Sequence, residues 1–341
     1  MSQENGSSGA STNQTDTLFA KMIYARCELG SAFTLAILSP VTVLANILLI
    51  TAIFKDPLKY FKKPTSYFVL GLSVADLLCG LFVEPFFAMY FLGRYFLASE
   101  EFQAISQTLF LVGSVISTAS LNASFVMVLM LSLVQIIAIE CPYRYKTWVT
   151  KKTVISCVLV TWLYFTVYSF LPILGLDQIV FFKLNLTLHS TLISVVLAFV
   201  QICMYRAFKG RLQHQIITNR SLSRYDSTNS PNRSIGNKHP FRKPVRYRTF
   251  DRNFIIMTFY LAAILLFAAF PHIGVFYFFL YTETTSIQEE LSLNILLRTT
   301  DLLLFTKVAA DAFIFAWRLP SYRKSLEYLI RGKHYEVETG V

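Results

Sequence analysis

Residues 102–139 read FQAISQTLFLVGSVISTASLNASFVMVLMLSLVQIIAI, 38 consecutive positions without an Asp, Glu, Lys or Arg. About 20 predominantly apolar residues suffice for a helix to cross the roughly 30 Å hydrocarbon core of a bilayer. At about 1.5 Å per residue this stretch would reach about 57 Å, so its helix should be strongly tilted. Six further apolar runs flank it, at about 29–54, 64–92, 153–175, 184–208, 254–281 and 291–317, and the run at 254–281 is also free of charge. Strands of a membrane barrel would be about 10 residues long with alternating polarity, and no segment alternates in this way. The expected fold is all-α, a bundle of seven transmembrane helices.

Composition agrees. Of 341 residues, 54% are hydrophobic and only 15% charged, where a soluble domain carries about 25% charged residues. There are too few charges to coat a water-facing surface, which argues against a soluble enzyme or a nucleic-acid-binding domain despite a net charge of +11. Five cysteines exclude a disulfide-stapled scaffold. No Cys/His spacing suits zinc, and no Gly-rich phosphate loop or nucleophile elbow occurs. Neither a catalytic residue nor a cofactor is therefore expected.

The basic residues set the orientation. Twenty-five of the 31 lie in alternate connections or after the last run: Lys55 to Lys63, Arg144 to Lys152, Arg206 to Arg252, and Arg318 to Lys333. Only Lys21, Arg26, Arg94 and Lys183 lie on the opposite side. The positive-inside rule then puts the N-terminus outside and the C-terminus in the cytosol. The basic loops read as solvated cytosolic surface near anionic lipid, or as a docking surface for a cytosolic partner.

Three regions follow. Residues 1–28 read as a polar, disordered extracellular tail. Residues 29–317 form the membrane domain, with one long inner loop at 209–251 of Ser/Asn/Arg/Pro character. Residues 318–341 hold a short amphipathic helix and a cytoplasmic tail. In that helix Tyr322, Leu326, Leu329 and Ile330 share one face, as in a helix lying in the inner membrane interface. Asn5-Gly-Ser and Asn13-Gln-Thr are glycosylation sequons on the outer tail. Asn122-Ala-Ser falls inside the third helix, and Asn185-Leu-Thr at the membrane edge. The terminal Thr339-Gly340-Val341 has the form read by a PDZ-domain partner through strand addition and carboxylate capture.

Several short motifs narrow the family. They are Ala45-Asn46, Pro64-Thr65-Ser66-Tyr67, Leu72-Ser73-Val74-Ala75-Asp76-Leu77, Cys141-Pro142-Tyr143-Arg144, Trp162, Pro271 and the segment from Asp311 to Lys324. In order and spacing they resemble rhodopsin-like (class A) G protein–coupled receptors over about residues 29–331. The resemblance implies a plasma-membrane receptor that transduces binding of an extracellular ligand to a heterotrimeric G protein. The departures point to an atypical member. Val134-Gln135-Ile136 stands where the family has Asp-Arg-Tyr, so Gln135 replaces an arginine that locks the inactive state and contacts the G protein. Ala269 replaces a tryptophan two residues before Pro271, Ala312 a proline, and Phe315 a tyrosine, while Tyr205 keeps the family's helix-five tyrosine. Phe110 takes the place of a disulfide cysteine, and helix five lacks its proline. A short second outer loop, no such disulfide and no helix-five proline occur together in melanocortin receptors, and partly in cannabinoid and lysophospholipid receptors. The departures also motivate an alternative, a heptahelical ligand- or partner-binding protein that does not activate G proteins. A transporter or channel would show internal repeats, and none is visible.

Ionisable residues inside spanning helices are functional candidates by default. They are Asp76, Glu84, Arg298, Asp301, Lys307 and Asp311. The resemblance places Asn46, Asp76, Ser124 and Asp311 at positions that hold a sodium ion in family members. Lys307, four residues before Asp311, shares a helical face with it. Its ammonium is therefore expected between Asp76 and Asp311 in place of sodium, either as a structural ion pair or as a regulatory switch. Lys307 is two residues out of register with the retinal-binding lysine of opsins, about 200° around the helix, which excludes that chemistry. The resemblance also puts Ser117, Thr118, His272 and Asp301 on the ligand cavity, with Glu84 and Arg298 at its rim. Ser117 stands where amine receptors carry an aspartate, which disfavours a monoamine. Arg298 and Asp301 are spaced to pair with each other, and His272 reads equally as a satisfied core residue. A lipid and a peptide both remain open as ligands.

Overall fold

The computed structural model describes residues 7–56, 61–96, 99–228 and 247–331. Seven long helices account for most of them. These are α1 (Ser7–Lys55), α2 (Ser66–Tyr95), α3 (Glu100–Glu140), α4 (Lys151–Ser169), α5, α6 (Tyr247–Tyr281) and α7 (Ile287–Arg318). Helix α5 runs without a break through Gln178–Leu184, a π-helical stretch Asn185–Leu192, and Ile193–Thr228. A shorter helix, α8 (Pro320–Arg331), follows α7.

Helix starts are written locally. Ser99 Oγ accepts from the backbone N–H of Phe102 at the start of α3, and Thr150 Oγ1 from Thr153 at the start of α4. Asp177 accepts from the N–H groups of Ile179 and Val180 at 2.9 and 3.0 Å, which opens α5. Ser286 and Glu289 make a capping box at α7: Ser286 Oγ accepts from Glu289 N–H at 3.2 Å. The Glu289 carboxylate accepts from the N–H and hydroxyl of Thr285, which holds its pKa below the usual carboxylate value. The connection from α4 to α5 is short because Gly175 turns the chain at φ +103°, a conformation suited to glycine.

The helices pack in a ring, α1 against α2 and α7, α7 against α6, and α6 against α5. Helix α3 sits centrally and touches α2, α4, α5 and α6. Its buried face is rich in small residues, among them Ala119, Ser120, Ala123, Ser124 and Ser132. Small side chains let membrane helices approach closely, where burying apolar surface drives nothing. Gly80 does the same between α1 and α2: a Cβ there would lie 3.0 Å from Thr42 and Val43. Outward faces remain apolar, as at Phe267 and Leu163.

Six helices among the described residues are both long and apolar enough to cross a membrane. Helix α7 matches them in length but carries Arg298, Asp301, Lys307 and Asp311 within its apolar run. Its place is secured by packing between α1 and α6.

Two expectations about irregular segments change. Residues 7–28 are helical rather than a disordered tail, because α1 meets no proline before Pro40. That extension is tied down by an ion pair of 3.2 Å between Glu28 and Arg94 of α2. The long inner loop is likewise shorter than 209–251, since α5 continues to Thr228 and α6 begins at Tyr247. The sequon Asn5 and the terminal Thr339 and Val341 lie outside the described residues, as does the side chain of Asn13. Helix α8 packs on α1 and α7, burying Tyr322 and Ser325.

Candidate functional site

The end of the bundle where α1, α3, α5 and α7 begin holds a cavity of about 340 Å³. Ser117 and Thr118 of α3, His272 of α6, and Arg298 and Asp301 of α7 all line it. Most of the remaining wall is apolar or aromatic, including Phe87, Phe110, Phe182 and Phe276. Ala269 forms part of the wall with Phe125 and Leu304. A tryptophan at 269 would fill that space.

Charge is concentrated on one wall. Asp301 lies 3.2 Å from His272 Nδ1 through one oxygen and 3.5 Å from Arg298 through the other. The Arg298 guanidinium also stacks on Phe91 at 4.2 Å. Glu84 does not join them. It is fully buried between α1 and α2, where it accepts from Thr42 Oγ1 at 3.2 Å. The expectation that it sits at the rim fails because Cys79–Val83, just before it, is a π-helical turn. Such a turn inserts about one residue into the helical register, a rotation of about 100°.

A polar network runs from the cavity wall across α3, α5 and α4. Asn122 donates to Asn185 Oδ1 at 2.8 Å, joining α3 to α5. His189 Nδ1 reaches the same oxygen at 3.2 Å, and its Nε2 meets the Tyr164 hydroxyl of α4 at 3.0 Å. Asn185 and His189 both lie in the π-helical stretch of α5. This stretch locally widens α5, in a helix that has no proline to do so. The hint in the sequence was the polar run Asn185 to Thr191 inside an apolar span, which was read only as a membrane-edge sequon.

Deeper in the bundle, Lys307 is 2% exposed. Its Nζ lies 2.7 Å from Asp311 Oδ2 and donates to Ser124 Oγ at 2.6 Å. Asp76 is buried beside Asp311, and its carboxyl group interacts with both Asp311 and the Lys307 ammonium. Asn46 turns its amide back to the Thr42 carbonyl, at 2.9 Å. The spacing of four residues along α7 gives Lys307 a partner on its own helix, and its ammonium also reaches α3.

Residues 45–314 match the 7 transmembrane receptor (rhodopsin family) pattern. The chain belongs to the rhodopsin family of seven-transmembrane receptors. Among curated proteins it is similar to the histamine H2 receptors of Homo sapiens, Pongo pygmaeus and Gorilla gorilla gorilla. Each is 30% identical over 147 residues, 43% of this chain and 38% of the relative. The chain thus matches under two fifths of the length of those relatives.

As a rhodopsin-family receptor, the protein is a multi-pass membrane protein whose family binds extracellular ligands and couples to G proteins. Several family switch positions are rebuilt in it. Gln135 is buried near the end of α3, and Phe315 and Ala312 are packed in the core. Tyr205, which keeps the family's residue, is 56% exposed and faces out of the bundle. The π-helical stretch upstream shifts the register of α5, and fully buried Met204 packs inward against Ile139 and Ile255 instead. Pro271 interrupts the hydrogen-bond ladder of α6, as proline does in any helix interior. All five cysteines are free. The residues at the family's sodium position do not fit that ion. The Lys307 ammonium already lies against Asp311 and Ser124, so a second cation there would meet a like charge.

Proposed function

We propose that the protein is a plasma-membrane receptor with its N-terminus outside. An extracellular ligand binds in the cavity beside α3, α5, α6 and α7 and shifts the population of α6 positions seen by a heterotrimeric G protein. The observation that carries this reading is the cavity itself. It is about 340 Å³ in volume, mostly apolar, with Arg298, Asp301 and His272 converging on one wall. Ligand sites of receptors and enzymes have this character, an apolar enclosure with a few placed polar groups. A ligand moves such an equilibrium only through its different affinity for the two states.

The relatives named as histamine receptors do not carry their ligand over to this chain. Ser117 stands at the amine-binding aspartate position, and the one carboxylate lining the cavity, Asp301, already faces two basic side chains. Basic cytosolic loops, α8 on anionic lipid, and a PDZ-domain protein at Thr339 and Val341 complete the proposed set of partners. Asn5 and Asn13 carry glycans in this orientation.

A second reading is favoured by Gln135 and the outward Tyr205: a receptor-like protein that binds ligand without activating G proteins. Ligand-free activation of each G protein class, measured in cells with surface expression matched, separates the two. Gln135→Arg is run alongside. Basal activity in the unmodified chain supports coupling. Silence that Gln135→Arg relieves supports the second reading and localises the cause to α3. Silence in both chains is the state of a receptor awaiting its ligand, and the comparison is then decided with ligand present.

A further inference from the structure

A second cavity of about 370 Å³ lies between α3, the end of α4 and the start of α5. It shares Leu111, Ser114, Thr118, Gln178 and Phe182 with the first cavity, so these five side chains form a common wall. On its far side are Val112, Phe170 and Ile173, which are exposed on the membrane-facing surface. The two spaces thus adjoin across this wall of side chains, one on the bundle interior and one toward the lipid.

The second cavity offers little to a polar ligand. Its hydroxyls are spent within their own helices. Thr108 donates to the Ala104 carbonyl, Ser114 to Phe110, Thr118 to Ser114 and Ser169 to Thr166, each at 2.8–2.9 Å. What remains is an apolar slot. The first cavity ends differently. Arg298 and His272 stand against the single carboxylate Asp301, and Arg298 holds it by one long contact of 3.5 Å. A guanidinium has five N–H donors in a planar fork suited to carboxylate and phosphate. Asp301 engages one guanidinium nitrogen, and Arg298 Nε is buried without a hydrogen-bond partner, so donors remain there for an anionic group.

We propose that the receptor binds a single-chain amphiphile, its anionic head at Arg298 and His272 and its alkyl chain passing over Thr118 and Phe182 into the slot between α3, α4 and α5. The inference rests on the ligand-binding reading above and names the chemistry of that ligand. An acyl chain in the bilayer is already out of water, so the slot selects the chain by close packing rather than by transfer from water. A bulk lipid contacts the same outer surface without reaching the charged wall.

Photolabelling of the full chain in phosphatidylcholine nanodiscs tests this. Two probes carry a diazirine at the end of an 18-carbon chain, one a carboxylate and one a monoacyl phosphate; an 8-carbon carboxylate is the short control. The expected result is saturable labelling of Val112, Ile116 and Ile173 by a long probe but not by the short one. Leu163 and Phe267, outward-facing elsewhere, report the non-saturable lipid background. Whichever head group is competed by fewer equivalents of unlabelled compound identifies its class. Arg298→Gln should weaken saturable labelling by tenfold or more, with Arg298→Lys retaining part of it. Ile173→Trp, which fills the slot, should weaken the long probe about tenfold and spare the short one.

Labelling of the slot no more saturable than at Leu163 overturns the proposal, as does full affinity in a folded Ile173→Trp chain. Unchanged labelling in Arg298→Gln overturns the head assignment. If the tryptophan variant fails to fold, the labelling map of the unmodified chain still decides. Saturable labelling without any G protein response sinks the signalling reading and leaves this one standing. A response to another ligand class with no slot labelling does the reverse.

Discussion

Replacing Lys307 by Met should destabilise the receptor far more than its single hydrogen bond would suggest. The ammonium lies 2.7 Å from Asp311 and 2.6 Å from Ser124, and Lys307 and Asp311 are 2% and 0% exposed. Removing it leaves Asp311 and neighbouring Asp76 as two buried carboxyl groups with no cation. Breaking a buried ion pair from one side costs about 3–5 kcal/mol, because the remaining charge is stranded. Removing both partners is much milder, since well-packed apolar residues replace a buried pair at little cost. The double change Lys307→Met with Asp311→Leu should therefore recover at least half of the loss, a coupling of about 2–3 kcal/mol.

Cys79 offers a local reporter. It is 1% exposed and packs in one cluster with Val308, the residue after Lys307. With Cys27, Cys141, Cys157 and Cys203 replaced by serine, a thiol-reactive fluorogenic dye reads release of Cys79 on heating. At about 2 °C per kcal/mol for a chain of this size, Lys307→Met should lower the midpoint by roughly 5–10 °C. The reasoning is refuted if the single change costs less than about 2 °C, or if the double change equals the sum of the two single ones.

The same assay in sodium chloride against choline chloride should show no sodium effect for the unmodified receptor; in Lys307→Ala, where Asp311 and Ser124 are released, sodium should raise the midpoint. Gly80→Leu should cost about 1–3 kcal/mol through overpacking against Thr42 and Val43, read as a lower midpoint and reduced surface expression. Glycosidase treatment of receptor from mammalian cells should shift its mobility, and Asn5→Gln with Asn13→Gln should abolish the shift. Asn122 and Asn185, which bond each other at 2.8 Å, should contribute no glycan. Ala269→Trp should fill the floor of the first cavity and abolish saturable labelling by the 18-carbon probes while leaving the unfolding midpoint within a few degrees.

Some of the site was legible before the fold was known, for a definable reason. Lys307 and Asp311 are four apart on one helix, and Arg298 and Asp301 three apart, so helical geometry alone brings each pair together. Ser117, Thr118 and His272 follow from the family's helix register in segments that stay regular up to them. Glu84, buried between α1 and α2, and Tyr205, facing outward, each follow a π-helical stretch, Cys79–Val83 or Asn185–Leu192. A one-residue change of register turns every later side chain by about 100°, and no local composition marks where it occurs. The Asn122–Asn185–His189–Tyr164 network joins three helices over sequence separations of 25 to 63 residues, beyond the reach of any spacing rule.

By itself the sequence determined the class of the molecule and an expected direction for its chain. Apolar runs long enough to span a bilayer can satisfy their backbone groups only as helices, and the clustering of 25 basic residues in alternate connections and after the last run sets the predicted orientation. Caps such as Ser99, Asp177 and Ser286 also wrote their helix starts locally. Tertiary structure decided which faces meet. Helix α7 is read as a span from its apolar run at 291–317 despite four charges within it, and packing against α1 and α6 fixes its position. The two cavities and their shared wall exist only where α3, α4, α5, α6 and α7 converge. In lipid, apolar surface is equally content facing a neighbour or an acyl chain, so hydrophobicity does not say which side of a helix turns inward. Close packing of small residues and the pairing of buried polar groups make that choice.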